Sequence, residues 1–114
     1  MRTLDEIHLS DTDRQAVRAA AAILRQQFPV ARVVLFGSKA RGDDDAESDI
    51  DLLILTARPV SRAERSRMTE ALFNLELDLG VVISKLVIPL DEWEHGLHRV
   101  LPIRSEIDRD GVAA

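Results

Sequence analysis

The feature that most constrains this chain is a pair of short apolar runs, VVLF at residues 33–36 and IDLLIL at 50–55, joined through a Gly-Ser step and an acidic stretch. Each run has the length of a strand rather than of a core helix. The second opens on two carboxylates, Asp49 and Asp51. Side chains two apart on a strand share a face, with Cα atoms about 6.6 Å apart. Two anions converging on one point are costly unless a cation neutralises them, and oxygen-only ligands select a hard ion such as Mg²⁺.

Around this pair the pattern predicts helix, strand, strand, helix, strand, helix. Ser10 with Asp11 and Asp13 behind it reads as a helix start, and Val17, Ala20, Ala21, Leu24 and Phe28 recur at helical spacing until Pro29, giving a helix over residues 11–27. A strand over 32–36 follows. After the second strand, Met68, Leu72, Leu75 and Leu79 stripe a helix over 62–79, with Gly80 as its C-terminal cap. The β-branched stretch 81–88 closes at Pro89 as a third strand; Asp91 caps a short helix through Trp93, and one more helical turn comes near residues 102–111. The expected fold class is α/β or α+β: helices laid on a short mixed sheet, in a single domain over 1–114.

The 114 residues, 46% of them hydrophobic, suffice for one core, and the formal net charge of -5 argues against broad binding to a nucleic-acid backbone. There is no cysteine, the opening residues lack a signal peptide's apolar core, and no stretch reaches the roughly 18 apolar residues that span a bilayer. A cytoplasmic protein without a membrane partner is the expectation.

Two familiar readings of the loop fail. Gly37 and Gly42 have the spacing of a phosphate loop, but Asp43 stands where its lysine must be; a calcium loop beginning at Asp43 would need Gly and Glu where Ser48 and Ile54 stand. What remains is a turn at Gly37 and Ser38 whose N–H groups can hold a phosphate oxygen, facing the Asp49/Asp51 pair. Gly37 would let backbone approach the ligand, and the Ser38 hydroxyl can donate to it. That pairing suits phosphoryl or nucleotidyl transfer, in which the protein positions groups and neutralises developing charge. Asp43, Asp44, Asp45 and Glu47 read as a solvated loop and Lys39 as surface charge. Trp93 is expected to pack a helix on the sheet. His95 and His98, near Glu92 and Glu94, are set aside as a metal face because Gly96 weakens the helix and no further ligand cluster is visible.

Gly37-Ser38, ten residues, then Asp49-Ile50-Asp51 resembles the signature of the DNA polymerase β-type nucleotidyltransferases, and the string FGSKARGDDDAESDIDLLI is similar to their minimal, single-domain branch. The resemblance implies a nucleotidyltransferase-type sheet, ATP as donor, Gly37 and Ser38 on the nucleotide's β and γ phosphates, Asp49 and Asp51 as catalytic ligands of Mg²⁺, and Arg41 as a phosphate contact. It also implies a small helical HEPN-type toxin as partner, which such proteins neutralise as antitoxins and some modify with AMP, so a homo- or hetero-oligomer is open. The branch's active members carry a third carboxylate on the next strand; that place falls near Ser84, with Asp78 too far back to replace it. The alternative is therefore an antitoxin of weak or absent catalysis that acts by binding.

Overall fold

A computed structural model describes residues 1–43 and 48–114. The elements are β1 (Arg2–Thr3), α1 (Asp11–Gln27), β2 (Val30–Phe36), α2 (Gly37–Arg41), β3 (Ile50–Thr56), α3 (Arg62–Leu79), β4 (Ile83–Pro89), α4 (Leu90–His95), α5 (Pro102–Asp110) and β5 (Val112–Ala113), with 3-10 turns at Leu4–Glu6 and Leu97–Val100. Among the described residues the strands form one mixed sheet ordered β1-β5-β2-β3-β4. β2 runs antiparallel to β3 and to β5, whereas β3 and β4 run parallel, as do β1 and β5.

The two long helices begin and end where their caps dictate. Ser10 Oγ accepts the Asp13 N–H at 3.1 Å, with Asp11 and Asp13 complementing the positive end of α1. Ser61 and Glu64 exchange side-chain-to-backbone bonds of 3.1 Å at the start of α3. Gly80, in the left-handed region at φ +67°, ends it by returning its N–H to Glu76 O.

β3 is buried on both faces, which explains its unbroken oily run. Ile50, Leu52 and Ile54 face α1 and α3, meeting Val17, Leu24, Met68 and Leu72. Leu53 and Leu55 face the opposite way, into a smaller cluster with Val34, Ile88, Trp93 and Ile107. Each such side chain contributes about 1.5–3 kcal/mol on burial. Trp93 packs a helix on the sheet as its sequence context suggested, and the Arg104 guanidinium stacks 4.8 Å above its ring.

Several expectations are corrected. Three strands become five because the two ends of the chain pair with each other and with β2; strands of two residues carry no periodicity for a sequence to display. The last helix spans Pro102–Asp110 rather than one turn, and α4 runs on to His95. β4 starts at Ile83 because the cap at Gly80 takes Val81 and Val82 to turn back, although Val82 O already accepts from Ile50 N at 2.8 Å. The Gly-Ser turn is the first turn of a short helix, α2. Of the acidic run, Asp43 is exposed; Asp44, Asp45 and Glu47 lie outside the described residues. Among the described residues no helix is long and apolar enough to cross a membrane.

Candidate active site

Phe36, Asp51 and Ser84 form one row across the sheet: Phe36 pairs with Asp51 in the β2–β3 ladder, and Asp51 pairs with Ser84 in the β3–β4 ladder. At the end of that row β2 turns sharply at Gly37, φ +77°, into α2. A Cβ added at Gly37 would lie 2.2 Å from Asp51 Oδ2. Glycine is thus required twice, by its dihedral and by the carboxylate pressed against it. The sequence suggested that Gly37 admits a ligand; the structure adds that it admits Asp51.

This contact sets the start of α2 against Asp51. Ser38 lies in the first turn, where N–H groups lack intrahelical partners, while its carbonyl accepts the Gly42 and Asp43 N–H groups at 2.9 and 3.1 Å and closes the helix. Arg2, in β1, braces the far end, donating to Ala40 O at 3.0 Å and to Asp110 O at 2.9 Å.

Asp51 is half-buried and Asp49, immediately before β3, is exposed. The Asp51 carboxyl is raised above its ordinary range, first by burial and then by the charge of Asp49, with Arg41 and Lys39 pulling the other way. A dication bound between the two carboxylates would offset the Asp49 charge that helps to raise Asp51. Asp49 and Asp51 therefore fit a hard divalent ion. Among the described residues no group of three His, Cys, Asp or Glu side chains assembles there.

Arg41 stands in the last turn of α2, its Nε 3.3 Å from Asp43 Oδ2, close enough to influence Asp51. Lys39 is not the surface charge expected of it. It is 3% exposed, and its Nζ lies 2.8 Å from Asp13 Oδ2. α2 is wedged between the sheet and its neighbours, so a side chain that follows Gly-Ser points inward and takes its carboxylate from α1. Asp13 was read only as a helix-start acid, and no sequence spacing links residues 26 apart. Ser84 is exposed beside Asp51, whereas Asp78 sits in the last turn of α3 ahead of Gly80.

The nucleotidyltransferase domain family matches residues 17–109. A "putative protein adenylyltransferase" of Methanocaldococcus jannaschii is 39% identical over 56 residues, which are 49% of this chain and 57% of that protein. The chain thus spans little more than half the length of that curated relative. A solved structure described as a "putative minimal nucleotidyltransferase" superposes with a TM-score of 0.62 at 28% identity, covering 90% of this chain and 92% of that one. A chain from a toxin–antitoxin crystal structure with AMP-PNP superposes with a TM-score of 0.57 at 18% identity, covering 87% of this chain and 69% of that one, and shares the fold. With a Gly-Ser step closing on an Asp-x-Asp strand inside the matched fold, this chain belongs to the nucleotidyltransferase domain family.

Proposed function

We propose that this chain is a Mg²⁺-dependent nucleotidyltransferase that moves AMP from ATP to a hydroxyl of a partner protein. The observation that supports the reading is the Gly37–Asp51 contact, which sets the first turn of α2 against one carboxylate of the pair. Gly37 and Ser38 hold oxygens of the β and γ phosphates. Asp49 and Asp51 hold the cation, and both must be ionised to do so. Arg41 leaves its exposed partner Asp43 to contact phosphate. When bound, Mg²⁺ screens the triphosphate and polarises the phosphoryl group being transferred. The acceptor oxygen forms a bond to the α-phosphorus as the bridging P–O bond to pyrophosphate breaks; pyrophosphate departs, and the hydroxyl proton passes to solvent.

The acceptor protein proposed is a small helical HEPN-type toxin, with this chain as its antitoxin; the fold shared with a toxin–antitoxin component and the similarity to a protein named as an adenylyltransferase support it. Intact-mass spectrometry of such a partner, incubated with this chain and Mg-ATP, tests the reading. One or more added AMP units, lost with Asp49→Asn/Asp51→Asn, support it.

A second reading rests on Ser84. Beside Asp51, where a carboxylate would complete the metal site, serine supplies neither charge nor a metal-bound base. In that reading the chain neutralises its partner by binding alone, and the partner co-elutes with unchanged mass.

A further inference from the structure

Phe73 and Leu77, one turn apart on α3, are 53% and 66% exposed. At about 100° per residue they lie about 150° around the helix from Met68, Leu72 and Leu75, which hold α3 on the core. Ser66, Thr69 and Glu70, on the same side as Phe73, are exposed as well, so this side of α3 faces solvent along its length. A ring and a leucine adjoining at i and i+4 make a patch rather than scattered apolar residues.

The charges around the patch run against the helix that carries them. Arg62, Arg65 and Arg67 stand in the N-terminal part of α3 and Glu70, Glu76 and Asp78 in the C-terminal part, while Glu64 is taken by Arg58. Arginines near the positive end of a helix and acids near the negative end oppose the macrodipole. Among the described residues none of these six makes an ion pair, and Arg65 reaches only Val87 O, at 3.3 Å.

The same order suits an antiparallel copy of α3. Helical periodicity puts Arg62, Arg65 and Glu76 on one flank of the patch and Arg67, Glu70 and Asp78 on the other. In a two-fold antiparallel pair each flank meets its own counterpart, so arginines of one copy meet acids of the other on both flanks: Arg65 faces Glu76, and Arg67 faces Glu70 and Asp78. About that centre Phe73 of one copy lies over Ser66 and Thr69 of the other, whose small side chains leave room for a ring.

We propose that α3 is a self-association surface on which a second copy of this chain docks antiparallel about a two-fold axis. Phe73 and Leu77 form its apolar centre, and the charged flanks fix its direction. Asp51, between Ile50 and Leu52 on β3, faces the other side of the sheet from α3, so the pairing leaves the candidate active site open.

Sedimentation equilibrium of the full chain tests this. The weight-average mass is expected to rise from 12.7 kDa toward twice that value between about 1 and 500 µM, the range of a weak, small interface. Phe73→Glu, at an exposed position, should keep one chain's mass throughout while its circular dichroism stays native. Arg65→Glu and Glu76→Arg should each weaken association about tenfold, because the two-fold axis repeats the pair. Arg65→Glu/Glu76→Arg together should restore it, since the two positions lie about 16 Å apart along one helix and cannot meet within a chain. One chain's mass at every concentration overturns the proposal. So does association that survives Phe73→Glu, or a double reversal no tighter than either single one. A chain that stays single by itself and uses Phe73 only in a complex with a different protein overturns it as well.

Discussion

Ser84 stands beside Asp51 across the parallel β3–β4 ladder, its side chain exposed on the strand edge. A carboxylate introduced there would join Asp49 and Asp51, raising affinity for a divalent ion while adding a third negative charge to a site that already raises Asp51. Ser84→Asp is expected to lower the melting temperature without Mg²⁺ and to recover it on Mg²⁺ addition. Calorimetric Mg²⁺ affinity should rise about tenfold, equivalent to about 1.4 kcal/mol. If a metal-bound base is what the site lacks, transfer should quicken by about 10²-fold or more.

Gly37 and Gly80 both sit at positive φ, but a Cβ at Gly80 meets nothing within 4 Å whereas one at Gly37 meets Asp51 Oδ2 at 2.2 Å. Gly80→Ala should cost about 1 kcal/mol from backbone strain alone, and Gly37→Ala more, about 2–4 kcal/mol. In an Asp51→Ala background the extra cost of Gly37→Ala should disappear, leaving only the strain. Denaturant unfolding of the double-mutant cycle measures this coupling.

The Lys39–Asp13 pair should behave asymmetrically. Asp13→Ala removes a carboxylate 2.8 Å from an ammonium that is only 3% exposed, at an expected cost of about 1–3 kcal/mol. Lys39→Met removes the buried charge itself and keeps most of the stem's packing, so it should cost less. Equilibrium unfolding of the two variants compares them directly.

Asp51, raised above the ordinary carboxylate range, contributes a penalty to the metal-free protein. The sign follows from linkage: the penalty is absent below the ordinary carboxylate value, builds as pH rises through the raised folded-state value, and is constant above it. Asp51→Asn is expected to raise the melting temperature of the metal-free protein at neutral pH and to leave it unchanged at acid pH. Mg²⁺ affinity of the wild-type chain should run the opposite way, falling as pH drops through the same window because the ligand must be ionised. Thermal melts and calorimetry across pH, with and without Mg²⁺, follow both curves.

What the sequence made legible follows from which signals are local. α1 and α3 begin and end at the expected residues because Ser10 and Gly80 are caps whose effect reaches a few residues and the apolar stripes are long enough to be periodic; the Ser61 cap of α3 emerges only in the structure. That Asp49 and Asp51 lie near enough to interact was legible from their spacing, although β3 begins at Ile50 and leaves Asp49 just ahead of it. β1 and β5 were not, because Arg2 meets Val112 and Thr3 meets Ala113 only once the fold has brought the ends together. Lys39 was misread for the same reason: its burial depends on where α2 lies against α1, which no neighbour in the sequence records. The approach of Asp51 to Gly37 joins both kinds, a legible glycine with an illegible cause.

The central claim is that the carboxylate pair and the Gly-Ser turn form one nucleotide site that works through a divalent ion. Isothermal titration of ATP into the wild-type chain, with and without Mg²⁺, and into Asp49→Asn/Asp51→Asn tests it most directly. The expected result is saturable ATP binding that needs Mg²⁺ and is lost in the double variant. Absence of Mg²⁺-dependent ATP binding, or binding of equal strength in Asp49→Asn/Asp51→Asn, would contradict it.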